Sequence, residues 1–256
     1  MDPGRVLVAD LDGTLVGDTA ALERFAAWHA KNRRSHRLVY ATGRHWDSIE
    51  QLMAVTALPV PDAAIAAVGT EIRDGSGHHL PGWADRVRDF DAEAVRAALR
   101  RLGWLSPQPR AAQTRLKASY DVVGLTDVQE AEILETLARA GLAGRIVYSA
   151  GLHLDVVPPG AGKGIAACFV TDSWGVPRDA VMVFGDTGND ADLFRHGFRG
   201  TVVANALPEL VNAIGQDVYR SALPFADGVL DGIRHWSGSD GCAGSVNRRE
   251  RQSPTR

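Results

Sequence analysis

Val6-Leu7-Val8-Ala9 is an unbroken apolar run that ends on Asp10-Leu11-Asp12-Gly13-Thr14. A run this short, apolar on both faces, fits a parallel strand covered on two sides, and its carboxyl end is where such sheets collect ligands. The same grammar repeats. Thr19 to His29 has helical periodicity, with Leu22, Phe25 and Ala26 on one face. Arg37 to Tyr40 reads as the next strand, broken by Thr42-Gly43, and His45 to Val55 as a helix. Ala63 to Val68 is a third apolar run, ended by Gly69. Strand, helix, strand, helix, strand implies a doubly wound, Rossmann-like α/β core with a parallel sheet and right-handed crossovers.

The texture then changes. Asp74 to Pro81 is turn-rich, Asp91 to Leu102 is an amphipathic helix, and Leu116 to Leu125 alternates like a strand. Asp127 to Ala140 is a second helix. Arg145 to Ser149 and Leu152 to Val157 form two strands around Ala150-Gly151. Pro158-Pro159-Gly160 punctuates the end, and the α/β pattern resumes from Gly164. The expected organisation is a discontinuous core, residues 1–82 and 160–236, with an α+β unit inserted at 83–159. The last segment, 237–256, is rich in Gly, Ser and Arg without apolar periodicity and reads as a disordered tail.

Composition excludes several functions. The 256 residues carry a formal charge of -3, so nothing favours nucleic acid or a membrane surface as a partner. No apolar stretch is long enough for a membrane span, and Asp10 and Asp12 follow too early for a signal peptide. Two cysteines, Cys168 and Cys242, give no disulfide framework, and a cytoplasmic setting is the simpler reading.

Four segments carry chemistry. Asp10 and Asp12 lie two residues apart at a strand end, with Gly13 permitting a tight turn. A carboxylate there can accept a phosphoryl group, and its neighbour can serve as acid and base. Thr42-Gly43-Arg44 ends the second strand and offers a hydroxyl and free N–H groups to phosphate oxygens. Lys163, between Gly162 and Gly164 before a helix, can offset negative charge. Gly185-Asp186-Thr187-Gly188-Asn189-Asp190 gathers oxygen ligands suited to a hard cation such as Mg2+. Asp186 would bind it with Asp10 and the main-chain carbonyl of Asp12, and Asn189 and Asp190 would orient ligands, waters or Lys163. Each segment alone is also what an ordinary turn or helix cap uses. Their order and spacing, each after its own strand or at a helix start, carry the argument.

In that order the segments resemble the four motifs of the haloacid dehalogenase superfamily, in the subclass with an α/β cap between the second and third motifs. The resemblance implies Asp10 as nucleophile, Asp12 as acid/base, and Thr42, Gly43, Lys163 and Asn189 around the phosphate. It further implies a Mg2+ site from Asp10, Asp12, Asp186 and Asp190. Asp12 is the mark of the phosphatase branch. Tyr40-Ala41-Thr42-Gly43-Arg44, Val68-Gly69-Thr70-Glu71-Ile72, Lys117-Ala118-Ser119-Tyr120 and Leu154-Asp155-Val156-Val157-Pro158 are similar to sucrose-phosphate and mannosylfructose-phosphate phosphatases. Asn205-Ala206-Leu207-Pro208-Glu209-Leu210 and Ala226-Asp227-Gly228-Val229 continue the similarity. By analogy Arg44, Glu71, Lys117, Ser119 and Tyr120 would meet the sugar.

The expected substrate is a sugar phosphate, in particular a disaccharide phosphate, with a glycosyl-phosphate synthase of the same pathway as a candidate partner. The alternatives are a phosphatase for a monosaccharide, glycosyl-glycerate or antibiotic-pathway sugar phosphate, and a phosphosugar mutase. A receiver-like signalling module shares the phosphorylated aspartate, but needs neither Asp12 nor the insertion.

Overall fold

The computed structural model describes residues 4–243. In chain order its first half contains β1 (Arg5–Ala9), α1 (Thr19–Asn32), β2 (His36–Ala41), α2 (Trp46–Val55), β3 (Ala63–Ala66), β4 (Glu71–Asp74) and α3 (Trp83–Val87). The inserted region follows with α4 (Ala92–Leu99), β5 (Ser106–Pro107), β6 (Ala118–Asp121), α5 (Asp127–Arg139), β7 (Arg145–Ser149) and β8 (His153–Val157). The chain then returns through α6 (Lys163–Ser173), β9 (Val181–Gly185), β10 (Arg199–Val202), α7 (Pro208–Ala213), β11 (Tyr219–Arg220) and α8 (Phe225–Ala243).

Seven strands form one sheet in the order β11-β10-β9-β1-β2-β3-β4. All neighbours are parallel except β3 and β4. β1 is central, and alternation sends its side chains to both faces. Leu7 and Ala9 join the cluster under α1, α2 and α8, while Val6 and Val8 join the cluster under α6. Each fully buried aliphatic side chain contributes roughly 1.5–3 kcal/mol, and both faces are filled this way. The expected wound α/β core is therefore present, with the motif-bearing loops at the carboxyl ends of β1, β2 and β9.

Four further strands, β5-β6-β8-β7, make an antiparallel sheet. Helices α4 and α5 cover its inner face through Val95, Leu99, Ile133 and Leu137. Their starts are well specified. Asp91 caps α4 through the amides of Glu93 and Ala94, and Thr126 with Gln129 forms a capping box on α5.

Two boundaries differ from expectation, and strand β4 has no counterpart in it. Helix α3 packs on the core: Trp83 and Val87 belong to the cluster of β1, β3 and α6, and Trp83 lies 5.2 Å from the ring of Phe169. The cap's own cluster begins at Phe90. Strand β4 is a polar edge strand whose order comes from pairing with β3 rather than from an apolar run of its own. Helix α8 continues through Ser237 to Ala243, so the tail does not become irregular at 237. The rest of that expected disordered tail lies outside the described residues.

Helix α6 starts at Lys163 with no side-chain cap of its own, because its N-cap is Gly162. Asp192 supplies the cap from a distant loop, accepting from the amides of Gly164 at 2.7 Å and Ile165 at 3.2 Å. The same carboxylate pairs with Arg145 of the cap at 2.8 Å. Burial opposes its charge, but His196, Arg145 and the Gly164 amide outweigh it and hold Asp192 below the usual carboxylate range. Asp192→Ala removes a long-range cap and leaves the Arg145 guanidinium with the carbonyl of Ala161 but without its carboxylate. It is expected to lower the free energy of unfolding by about 2–3 kcal/mol in chemical denaturation. A loss below about 0.5 kcal/mol would show that the cap is not specified by this residue.

Candidate active site

The acids meet on one buried ammonium. Lys163 Nζ donates to Asp10 Oδ1 at 2.8 Å and to Asp190 Oδ1 at 2.7 Å, and its side chain is fully buried. Asp190 spends its second oxygen on the amides of Asp186, at 3.0 Å, and Thr187, at 3.1 Å. Thr14 Oγ1 donates to Asp186 Oδ1 at 2.9 Å, tying the first acidic loop to the second. The two loops approach so closely that a Cβ on Gly13, whose φ is +85°, would lie 2.1 Å from Asp186 Oδ2. Only glycine fits there.

Charge in this cluster is unbalanced. Burial drives the Asp10 carboxyl well above its usual range; Lys163 opposes this, and Asp190 and Asp186 add to it. Burial, then Asp190, pushes Asp186 up to about 7. For Lys163 burial disfavours the charge, but Asp10 and Asp190 outweigh it and raise the group above ordinary lysine. One ammonium among three buried carboxylates leaves excess negative charge for a proton or a cation. Asp10, Asp186 and Asp190 each place an oxygen within 4.8 Å of the others, a hard donor set of the kind that holds a divalent cation.

A cavity of about 470 Å³ opens beside these acids. Asp10, Asp12, Thr42, Gly43, Arg44, Thr187 and Asn189 reach it from the core. The carboxylate of Asp12 lies outside the three-acid cluster. Arg44 grips it with two bonds, Nε at 2.7 Å and Nη2 at 2.6 Å, and also donates to Ser48 at 2.9 Å. Lys163 supports the cavity from behind through Asp10 rather than lining it.

The cap contributes the opposite wall with Gln108, Lys117, Ser149, His153 and Asp155. Lys117 is buried and pairs with Asp155 at 3.2 Å, and Ser119 Oγ donates to the same carboxylate at 2.5 Å. Gln108 donates to Asp121 at 2.7 Å, and His153 Nδ1 lies 3.1 Å from Asp121.

Three of the five expected sugar contacts do not line this cavity, and only Arg44 and Lys117 of that set do. Tyr120 points to the other face of β6, into the cap's apolar cluster with Ala118 and Val122. Glu71 pairs with Arg73 at 2.5 Å on the wall of a different cavity. Ser119 stands behind Asp155 and does not line the space itself. Sequence reasoning missed Gln108, Asp121, His153 and Asp155. The available signal was period two: Lys117, Ser119 and Asp121 share one face of β6, and His153 and Asp155 the matching face of β8.

The α/β fold, the paired acids at the end of the central strand and the buried lysine define a phosphatase of the haloacid dehalogenase superfamily. Within it, the chain belongs to the sucrose-6F-phosphate phosphohydrolase family, whose model matches residues 3–237. It is 36% identical over 243 residues to the mannosylfructose-phosphate phosphatase of Agrobacterium fabrum, covering 92% of this chain and 98% of that protein. It is 35% identical over 223 residues to the probable sucrose-phosphatase 3a of Arabidopsis thaliana, covering 82% of this chain but 52% of that longer relative. The sucrose-phosphatase of Synechocystis sp. PCC6803, solved with sucrose and phosphate, superposes with a TM-score of 0.85 at 30% identity. That match covers 91% of this chain and 98% of that one. Among the described residues no helix is long and apolar enough to cross a membrane.

The raised Asp186 carboxyl has a measurable consequence. Burial and Asp190 let folded Asp186 hold its proton up to about pH 7, whereas the unfolded chain releases it in the ordinary carboxylate range near 3.8. The native state then binds more protons across that window, so metal-free protein is expected to lose thermal stability as pH rises from about 4 through about 7. Added Mg2+ is expected to flatten that slope in thermal denaturation. A metal-free profile that is level or rises across this range would contradict the shift.

Proposed function

We propose that the chain hydrolyses a disaccharide phosphate, such as sucrose 6-phosphate or mannosylfructose phosphate, through a phosphorylated Asp10. The observation that carries this reading is the opposition, across one cavity, of buried acids on the core to a polar, hydroxyl-matching wall on the cap. The names of the relatives support the same substrate class.

The chemistry follows from the groups present. Thr42, Gly43 and Asn189 would hold the phosphoryl oxygens beside Asp10, and Lys163 would keep the Asp10 oxygen ionised and aimed. The Asp10 oxygen attacks phosphorus as the sugar oxygen leaves, taking a proton from Asp12. Water then attacks phosphorus of the acyl phosphate and gives its proton to Asp12, releasing phosphate and restoring Asp10. The Arg44 pair holds Asp12 at the cavity wall; a sugar phosphate that engages Arg44 would free it for proton transfer. Asp10 and Asp186 are the side chains that would hold Mg2+, with Asp190 in support; the ion supplies positive charge that offsets the phosphoryl oxygens.

On the cap, Lys117, Asp155, His153 and Gln108 would read sugar hydroxyls, each pre-set by a polar neighbour. Such a substrate comes from a glycosyl transfer to a phosphorylated acceptor, so a glycosyl-phosphate synthase of the same pathway is the fitting partner enzyme.

Phosphate release across a sugar-phosphate panel tests the reading. With Mg2+, kcat/KM is expected to be at least about 10-fold higher for a disaccharide phosphate than for glucose 6-phosphate or fructose 6-phosphate, and chelator should abolish turnover. Equal rates on both classes would remove the disaccharide assignment. Asp10→Asn should lower kcat by at least about 10⁴-fold while leaving the fold intact, and Asp155→Asn should mainly raise KM for the sugar phosphate. Turnover like wild type from Asp10→Asn would remove the nucleophile.

A further inference from the structure

Glu209 stands outside the cavity yet touches both of its walls. Its Oε1 accepts from the amide of Gly188 at 2.8 Å, in the loop that carries Asp186 and Asp190. The same oxygen accepts from the amide of Ala150 at 2.7 Å, and Oε2 accepts from Gly151 at 3.2 Å, in the turn between β7 and β8 of the cap. One carboxylate thus joins an acidic loop of the core to a hairpin of the cap.

Both partners are shaped for this contact. Ala150 and Gly151 have φ of 56° and 63°, so the two-residue turn is left-handed at both positions and aims its amides in one direction. A left-handed alanine costs about 1–2 kcal/mol, and the strain is located where the carboxylate binds. Gly188 is as constrained: a Cβ there would lie 2.6 Å from the carbonyl oxygen of Tyr148 and 3.0 Å from Glu209 Oε1. The neighbouring residues reinforce the join. Asn189 Nδ2 donates to Ser149 Oγ at 3.4 Å, and the amide of Leu207 donates to the carbonyl of Asp186 at 2.8 Å. Asn205, four residues before Glu209, donates to the carbonyl of Gly13 at 2.7 Å. The segment 205–209 therefore braces both acidic loops from behind, and only its last residue reaches across to the cap.

We propose that Glu209 is a positioning residue that locks the cap hairpin onto the Asp186 loop, so that closing the cap over the sugar and setting the acids are one event. Ser149 and Ala150 lie on the cavity wall immediately beside the lock, as do Thr187 and Asn189. A hairpin that lifts away takes the cap wall with it and releases Gly188 at the same time. The kinetic part rests on the sugar-phosphate reading; the coupling itself does not.

Glu209→Ala is the test variant because it removes both acceptor oxygens, whereas Glu209→Gln can keep its carbonyl oxygen on the amides of Gly188 and Ala150. Glu209 is only half-buried, so the variant should fold. Hydrogen exchange needs no substrate. In the variant, peptides covering 148–152 and 186–190 should exchange at least about 10-fold faster together, while the strands β1 and β9 stay protected. Faster exchange in one peptide alone, or in neither, would overturn the coupling.

Kinetics provides the second arm. kcat/KM for the preferred sugar phosphate should fall at least about 10-fold, and for 4-nitrophenyl phosphate, which meets the loosened acid loop but has no sugar for the cap to hold, by a factor at least about 3-fold smaller. Equal losses on both would reduce Glu209 to a prop for the core loop and overturn the proposal. If wild type ignores sugar phosphates while the two peptides still exchange together, the substrate reading fails and the coupling stands.

Discussion

A single buried ammonium holds this molecule's chemistry together. Lys163 has no exposed side-chain surface and lies within 2.8 Å of two carboxylates, Asp10 and Asp190. Burying such charges costs several kcal/mol each, and only good geometry with further hydrogen bonds offsets it. The fold supplies both. Asp190 is fixed by backbone amides of its own loop, Asp186 by Thr14, and the helix that presents Lys163 by the distant cap of Asp192. Removing the ammonium would leave carboxylates that cannot all remain ionised. The wound sheet, the close approach at Gly13 and the brace at 205–209 all serve to bring these groups to one point.

The cap solves a different problem. Its inner face is an apolar core with α4 and α5, while its outer face presents Lys117, Asp121, His153 and Asp155 in mutually paired form. Pre-paired polar groups keep their orientation and reject a ligand that cannot replace their partners. On the proposed reading the acids are common to a superfamily, and two short strands of the cap would set the sugar preference. The ties at both ends of β7, Arg145 with Asp192 and the hairpin with Glu209, attach that wall to the catalytic loops themselves.

Much of this was legible in the sequence. Short apolar runs ending in acids, a hydroxyl or glycine can be read without coordinates, because a buried parallel strand tolerates little else. The four acidic, hydroxyl and lysine segments are the ones that the fold brings around one cavity and one buried ammonium. What was not legible depended on tertiary pairing. β4 is polar and owes its order to β3, and α3 is a single short helix whose Trp83 declares its side only when Phe169 is opposite. In the cap, the Lys-Ala-Ser-Tyr segment reads as one patch in sequence, but a strand divides it. Lys117 and Ser119 take one face, and Tyr120 goes inside. Asp155 sits in a segment marked by resemblance, yet its role depends on β6 lying beside β8. Glu71 followed the same logic in reverse, being drawn away by Arg73.

The central claim is that Asp10, held by Lys163, carries the phosphoryl group covalently. Rapid acid quenching during turnover of a phosphate-labelled disaccharide phosphate, followed by peptide mapping, tests it directly. The account predicts a labile acyl phosphate on the peptide containing Asp10 that disappears as substrate is exhausted. Steady phosphate release with no label on that peptide, or with label on another residue, would contradict it.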